Sequence, residues 1–272
     1  MTNSQLAAVR LGAVSYLNSK PLIQDLDKLL PGSDIVLDYP SRLADALASN
    51  ELDVALIPSV EYFRGSGYRI ISSACVAARG PVMSVKLFCR VHPGKIRRVA
   101  LDEGSRTSAA LARVILAERY GVMPESERLP IQSSTTACRA DAILLIGDRA
   151  MHRPEEEFFE VMDLGQFWYD WTGLPFVFAM WVAREDADVE GIEEALALSR
   201  NRGVKAIPQI ATEQAPLVGI TRERAMAYLT HNLNFHLSSA EQSGLELFRQ
   251  LAMRQNLLQP ESVTVFSGAA VA

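Results

Sequence analysis

The feature that most constrains this chain is a repeated alternation of short apolar runs with segments of helical pattern. Val9 to Val14 reads as a buried strand. Ser15-Tyr16-Leu17-Asn18-Ser19-Lys20 follows, and then Pro21, which suits the first turn of a helix. That helix is expected to run to about Leu30, where Pro31-Gly32 stops it. Ile35 to Leu37 is a second strand, and Ser41 can cap a helix whose apolar face is Leu43, Ala44 and Leu47. Asp53 to Ile57 is a third strand, broken by Pro58-Ser59. Such alternation argues for parallel strands in an α/β layer.

A second set begins at Val99 to Leu101. It leads through Asp102-Glu103-Gly104-Ser105-Arg106 into a helix from Thr107 to Tyr120, closed by Gly121. Ala142 to Ile146 is another apolar strand, ending in Gly147-Asp148, and Phe176 to Ala183 is a long β-type run. From Val189 onward the pattern is mostly helical, with a capping box at Ser238 and Glu241. Ser267 to Ala272 is expected to be disordered. The 272 residues accommodate two α/β units. Two lobes joined without a flexible linker fit this order, with the chain crossing near Ser84 to Cys89 and near Phe178 to Ala183.

Composition narrows the function. The formal net charge of -5 carries no basic face, which argues against a nucleic-acid partner. No apolar run reaches the roughly 18 residues of a membrane span. The first residues lack a basic stretch followed by an apolar core of about 7–15 residues, so no secretory signal is expected. Cys75, Cys89 and Cys138 are far apart, as in a protein with reduced thiols, and a cytoplasmic location follows as an expectation. The four histidines form no metal-binding spacing, so neither a metal nor another cofactor is expected.

Five short motifs carry groups for chemistry. Ser15, Tyr16 and Asn18 offer hydroxyls and an amide where a strand ends, the usual place for ligands in open α/β sheets. At Ser105-Arg106-Thr107-Ser108 a helix amino terminus, hydroxyls and a guanidinium suit an anion, carboxylate included. Gly80 allows close backbone approach and Ser84 can face a cleft. Gly147-Asp148 again closes a strand, and the aromatic stretch from Asp163 to Phe176 supplies core or cleft wall. Each has a plainer reading: a capped turn at Asn18, a solvated Arg106, a capping Asp148.

Taken together and in order, these motifs resemble one family. The runs Ser15-Tyr16-Leu17-Asn18-Ser19-x-Pro21-Leu22, Asp53-Val54-Ala55-Leu56-Ile57-Pro58-Ser59, Ser105-Arg106-Thr107-Ser108, Leu145-Ile146-Gly147-Asp148 and Thr172-Gly173-Leu174-Pro175-Phe176-Val177 resemble the chorismate dehydratases of the futalosine route to menaquinone, over about residues 9 to 266. The resemblance implies an α/β, two-lobed, hinged fold of the type II periplasmic-binding-protein kind with a helical C-terminal segment. One lobe is expected at 1–86 with 184–272, the other at 87–183, with the ligand between them. It implies a hydro-lyase that converts chorismate to 3-[(1-carboxyvinyl)oxy]benzoate and water.

The expected catalytic residues are Asn18, Ser84 and Asp148. The expected substrate contacts are Ser15, Tyr16, Ser59, Gly80, Ser105, Arg106, Thr107, Ser108 and Gly147, with Arg106 as the carboxylate clamp. The general base stays open between Glu61, Asp148 and a carboxylate of the substrate itself. Two alternatives stand beside this reading. One is the sister enzyme that makes 1,4-dihydroxy-6-naphthoate, whose group carries a histidine base where this chain has Gly147. The other is a non-catalytic binding or sensor module for a small carboxylate.

Overall fold

A computed structural model describes residues 9–131 and 133–259; the expected disorder at Ser267 to Ala272 lies outside them. The described strands are β1 (Arg10–Val14), β2 (Asp34–Asp38), β3 (Val54–Pro58), β4 (Tyr68–Ala78), β5 (Val85–Cys89), β6 (Arg98–Asp102), β7 (Glu125–Leu129), β8 (Ala142–Ile146), β9 (Glu160–Asp163), β10 (Phe176–Arg184) and β11 (Asn234–His236). The helices are α1 (Leu26–Leu29), α2 (Pro40–Ala48), α3 (Ser59–Arg64), α4 (Arg106–Tyr120), α5 (Leu164–Thr172), α6 (Ile192–Lys205), α7 (Ile207–Val218), α8 (Arg222–Ala227) and α9 (Ser239–Arg254).

These strands form two sheets. The larger has the order β11-β4-β10-β3-β1-β2 and the smaller β7-β6-β8-β5-β9. In the larger, β1 lies parallel to β2 and β3, while β10 runs antiparallel to β3 and β4. In the smaller, β6 is parallel to β7 and β8, and β5 is antiparallel to β8 and β9. The central strands β3, β8 and all of β10 but Arg184 are buried throughout, as expected of strands covered on both faces. The edge strand β2 instead exposes Val36 and Leu37.

The strands themselves do not cross between the sheets. All of β5 pairs within the smaller sheet and all of β10 within the larger. The crossings are the short segments 79–84 and 164–175, the second holding α5. The expected limits at 86/87 and 183/184 therefore each cut a strand. Sheet membership joins 9–78 to 176–259 and leaves 85–163 as the other unit. Apolar pattern marks a strand but does not say which sheet it joins.

Two local expectations also shift. In place of one helix to Leu30, a 3₁₀ turn (Leu17–Ile23) containing Pro21 precedes the short α1. Pro21 has no N–H to continue an α-helical ladder, and Asp25 sits at φ 55 between the two pieces. Helix α2 starts at Pro40 with no side-chain cap, so Ser41 falls inside the first turn. Its amide instead donates to Gly104 O of the other unit at 3.2 Å.

The helical tail folds back on the larger sheet. Helix α6 crosses the 3₁₀ turn so closely that a Cβ at Gly203 would overlap the Pro21 carbonyl. The capping box at Ser238 and Glu241 is formed. Glu241 is fully buried there, its charge met by Arg79 at 2.7 and 3.0 Å.

Candidate functional site

A small cavity of about 40 Å³ lies between the two sheets. Its polar lining is Tyr16, Asn18, Ser84, Ser105 and Ser108, with the backbone of Gly147. Its apolar lining is Val14, Pro40, Pro58, Val76, Val82, Val85, Ile146, Phe178 and Ala179. Val14, Pro58 and Ile146 end β1, β3 and β8, so the cavity sits at the carboxyl ends of strands from both units. Among the described residues no charged side chain lines it.

Positive potential comes instead from the first turn of α4. Ser105 is its N-cap and accepts from Ser108 N at 3.2 Å, while its own hydroxyl lies 3.0 Å from Ser108 Oγ. The amides of Arg106 and Thr107 have no intrahelical acceptor, as at any helix start. The 15-residue helix adds its dipole at this end. An anion in the cavity thus meets hydroxyls and a helix terminus rather than a guanidinium.

Several expected contacts point elsewhere. Arg106 does not line the cavity; its guanidinium reaches Asp45 at 2.7 Å and Glu61 at 3.0 Å, tying α4 to α2 and α3. The guanidinium is therefore committed to two carboxylates and is not free as the substrate clamp. Glu61 is also held by Arg64 at 2.7 Å, which removes it from contention as a base in the cavity. Thr107 accepts from Val60 N at 3.1 Å and lies 3.3 Å from Ser59 Oγ, which also donates to Val177 O at 2.8 Å. Both hydroxyls thus fasten α3, α4 and β10 together. Ser15 stands off the cavity, its amide donating to Asp38 O. Gly80, at φ 118, packs against α5 through Gly165 and does not line the cavity.

Asp148 sits where the units meet. Its carboxylate accepts from Leu17 N at 3.2 and 3.4 Å, across 131 residues of sequence. Burial pushes its carboxyl up to about 6, against the Leu17 amide, which favours the charged form. Between pH 4 and 6 the folded chain therefore binds more protons here than the unfolded chain. Stability from this group is full below pH 4 and is lost as pH rises through 6. Relative to Asp148→Asn, the parent should lose about 2 kcal/mol over that window, read by denaturant unfolding at several pH values. A constant difference between the two would show that Asp148 does not titrate here.

The adjacent Gly147 has φ +62 and lies under the ring of Tyr16. A Cβ at 147 would come within 2.7 to 2.9 Å of three Tyr16 ring atoms. Tyr16 from one unit is thus seated on glycine backbone of the other, and no side chain fits between them. Burial raises the Cys138 thiol pKa and the nearby Glu127 carboxylate adds to the rise, which disfavours the thiolate.

One polar residue beside the cavity was not foreseen. Tyr228, fully buried, donates to Ser84 Oγ at 2.8 Å. Its sequence neighbourhood, Met226-Ala227-Tyr228-Leu229-Thr230, carries no motif, so only the fold reveals it.

Two units with a cleft at strand ends define a class, that of the periplasmic-binding-protein fold. The alkanesulfonate-binding protein of Xanthomonas axonopodis pv. citri, bound to MOPS, superposes with a TM-score of 0.64 at 14% identity, over 95% of this chain and 96% of its own. A crystal structure from Archaeoglobus fulgidus superposes with a TM-score of 0.75 at 17% identity, over 94% of this chain and all of its own. Within this class the particular family is shown by sequence: a match spans residues 9–254, and the chain belongs to the menaquinone biosynthesis family. It is 31% identical to the chorismate dehydratase of Thermus thermophilus, over 88% of this chain and 93% of that one. It is 30% identical to the chorismate dehydratase of Campylobacter jejuni over 174 residues.

Proposed function

We infer that this chain is a chorismate dehydratase, a hydro-lyase that removes water from chorismate to leave 3-[(1-carboxyvinyl)oxy]benzoate. The observation that carries this reading is a cavity with no charged side chain among its described lining residues, lined by hydroxyls and one amide beside a helix amino terminus, in a chain 31% identical to an enzyme of that name. The substrate is a cyclohexadiene ring bearing one carboxylate, a hydroxyl and an enolpyruvyl ether that carries the second carboxylate. Val14, Pro58, Val76, Ile146 and Phe178 enclose the ring. Ser105, Ser108 and the start of α4 take a carboxylate. Asn18 and Ser84 face the departing hydroxyl.

In the reaction a ring C–H bond breaks, its electron pair enters the ring, and the C–O bond releases hydroxide. That hydroxide leaves as water on taking up one proton. Much of the driving force is the aromaticity gained. Among the described residues no carboxylate or imidazole lines the cavity, which favours the substrate's own enolpyruvyl carboxylate as the base. That carboxylate then returns its proton to the departing hydroxide, so atoms and charge balance. The protein's share is positioning and desolvation. The seating of Tyr16 on Gly147 supports this reading over the 1,4-dihydroxy-6-naphthoate enzyme, because a histidine at 147 has no room. The reading requires no metal, cofactor, nucleic acid or membrane, and places the enzyme in the cytoplasm with its substrate. Among the described residues no helix is long and apolar enough to cross a membrane.

Purified protein incubated with chorismate and a chelator is expected to yield the benzoate ether, seen by mass. Chorismate bound but unchanged would favour the binding-module reading instead.

A further inference from the structure

Ser84 is held in place by an unusual concentration of constraints. The crossover segment 79–84 makes a tight turn in which Ser84 N donates to Val82 O at 2.7 Å and Met83 stands at φ 62. A non-glycine residue in the left-handed region persists only where surroundings over-determine it, and such residues gather at functional sites. Here the Asp163 carboxylate accepts from Val82 N at 2.9 Å and Met83 N at 2.7 Å. From the opposite side comes a π-helical turn, Tyr228–Asn232, directly after α8. Asn232 Nδ2 donates to Pro81 O at 2.7 Å and the Tyr228 phenol donates to Ser84 Oγ at 2.8 Å. A π turn widens the helix by one residue, and such turns recur at functional sites. This one brings both of its end residues, Tyr228 and Asn232, onto the segment that carries Ser84.

The phenol fixes more than a position. Ser84 Oγ has one proton and accepts the phenol's. With the phenol as donor, the serine's own proton has no protein acceptor among the described residues and is left for the cavity, which Ser84 lines. Burial raises the Tyr228 pKa, with the Ser84 bond opposing it, so the group remains a neutral donor rather than an acid that gives up its proton. Beside the same phenol, which its side chain also meets, Asn18 has a buried Oδ1 with no partner among the described residues. A donor at Ser84 and an acceptor at Asn18 thus face the same space, the arrangement a hydroxyl requires.

We propose that Tyr228 is a positioning residue for the dehydration, setting the Ser84 hydroxyl as an obligate donor toward the substrate's departing hydroxyl. This rests on the dehydratase reading above. No proton is transferred from Tyr228. It donates a hydrogen bond, and Ser84 donates in turn to the oxygen as its negative charge develops.

The test is a double-mutant cycle of Tyr228→Phe with Ser84→Ala, with rates referred to the fraction of protein that binds chorismate. In the parent background Tyr228→Phe is expected to lower kcat about tenfold or more, with KM moving less than about threefold. In the Ser84→Ala background the same change is expected to cost less than about twofold, because the group it orients is gone. Equal losses in both backgrounds, tracking a fall in Tm, would assign Tyr228 to packing alone and overturn the proposal. A parent that turns over chorismate while the cycle shows no coupling removes Tyr228 only. A parent with no turnover overturns the dehydratase reading and this assignment with it.

Discussion

Asn18→Asp is expected to lower kcat/KM for chorismate by about a thousandfold, while Asn18→Ala lowers it by about ten- to a hundredfold. Asn and Asp are nearly isosteric, so the effect of the Asp substitution is electrostatic. Among the described residues nothing donates to the buried Asn18 Oδ1, so what truncation forfeits at that atom is a substrate contact, about 1–3 kcal/mol. A carboxylate there puts a negative charge beside a dianion in a cavity with no charged lining. At about 4 Å and an effective dielectric of ~20, that repulsion is about 4 kcal/mol, or about a thousandfold. The same repulsion, with burial, raises the pKa of the new carboxyl. Below that pKa the group is neutral, so the Asp variant should recover activity as pH falls, whereas the Ala variant should not. Turnover from pH 5.5 to 8 beside thermal unfolding checks this. An Asp variant as active as the parent at every pH would remove Asn18 from the site.

Gly147→Ala is expected to lower activity by about a hundredfold with a smaller effect on folding. At φ +62 an alanine is strained by roughly 1–2 kcal/mol, and its Cβ would also overlap the Tyr16 ring at 2.7 Å. The fold can relieve the overlap by moving Tyr16 out of its seat, and Tyr16 lines the cavity. The strain is thus relieved at the expense of closure between the two units. Other contacts across the same junction, Leu17 with Asp148 and Arg106 with Asp45 and Glu61, hold the remainder of the fold. Removing the ring in the variant, Tyr16→Ala with Gly147→Ala, is expected to restore part of the thermal stability lost. Parental activity in Gly147→Ala alone would show that Tyr16 does not close against this glycine.

Much of the architecture was legible before any coordinates. The buried runs from Leu11 to Val14, Val54 to Ile57 and Ala142 to Ile146 are continuously apolar, and α4 carries both its Ser105 cap and its Gly121 stop. Strands such as β7, with the pattern Glu-Ser-Glu-Arg-Leu, were not legible, because an exposed edge needs no apolar alternation. The crossing points were misplaced for a related reason. A strand buried in one sheet has the same composition as a strand spanning two.

The site divides along the same line. Sequence by itself determined where ligand groups gather: at the strand ends before Tyr16, Asn18 and Gly147, and at the capped start of α4, because strand termination and helix capping are local properties. Only the tertiary structure decided which of those groups face the cavity. Residues adjacent in a helix project about 100° apart, so the run Ser105-Arg106-Thr107-Ser108 splits. Ser105 and Ser108 turn into the cavity, while Arg106 and Thr107 bind the other unit. Likewise Tyr228 reaches Ser84 from 144 residues away, a contact no local pattern encodes, because it exists only once the helical tail has packed back onto the larger sheet.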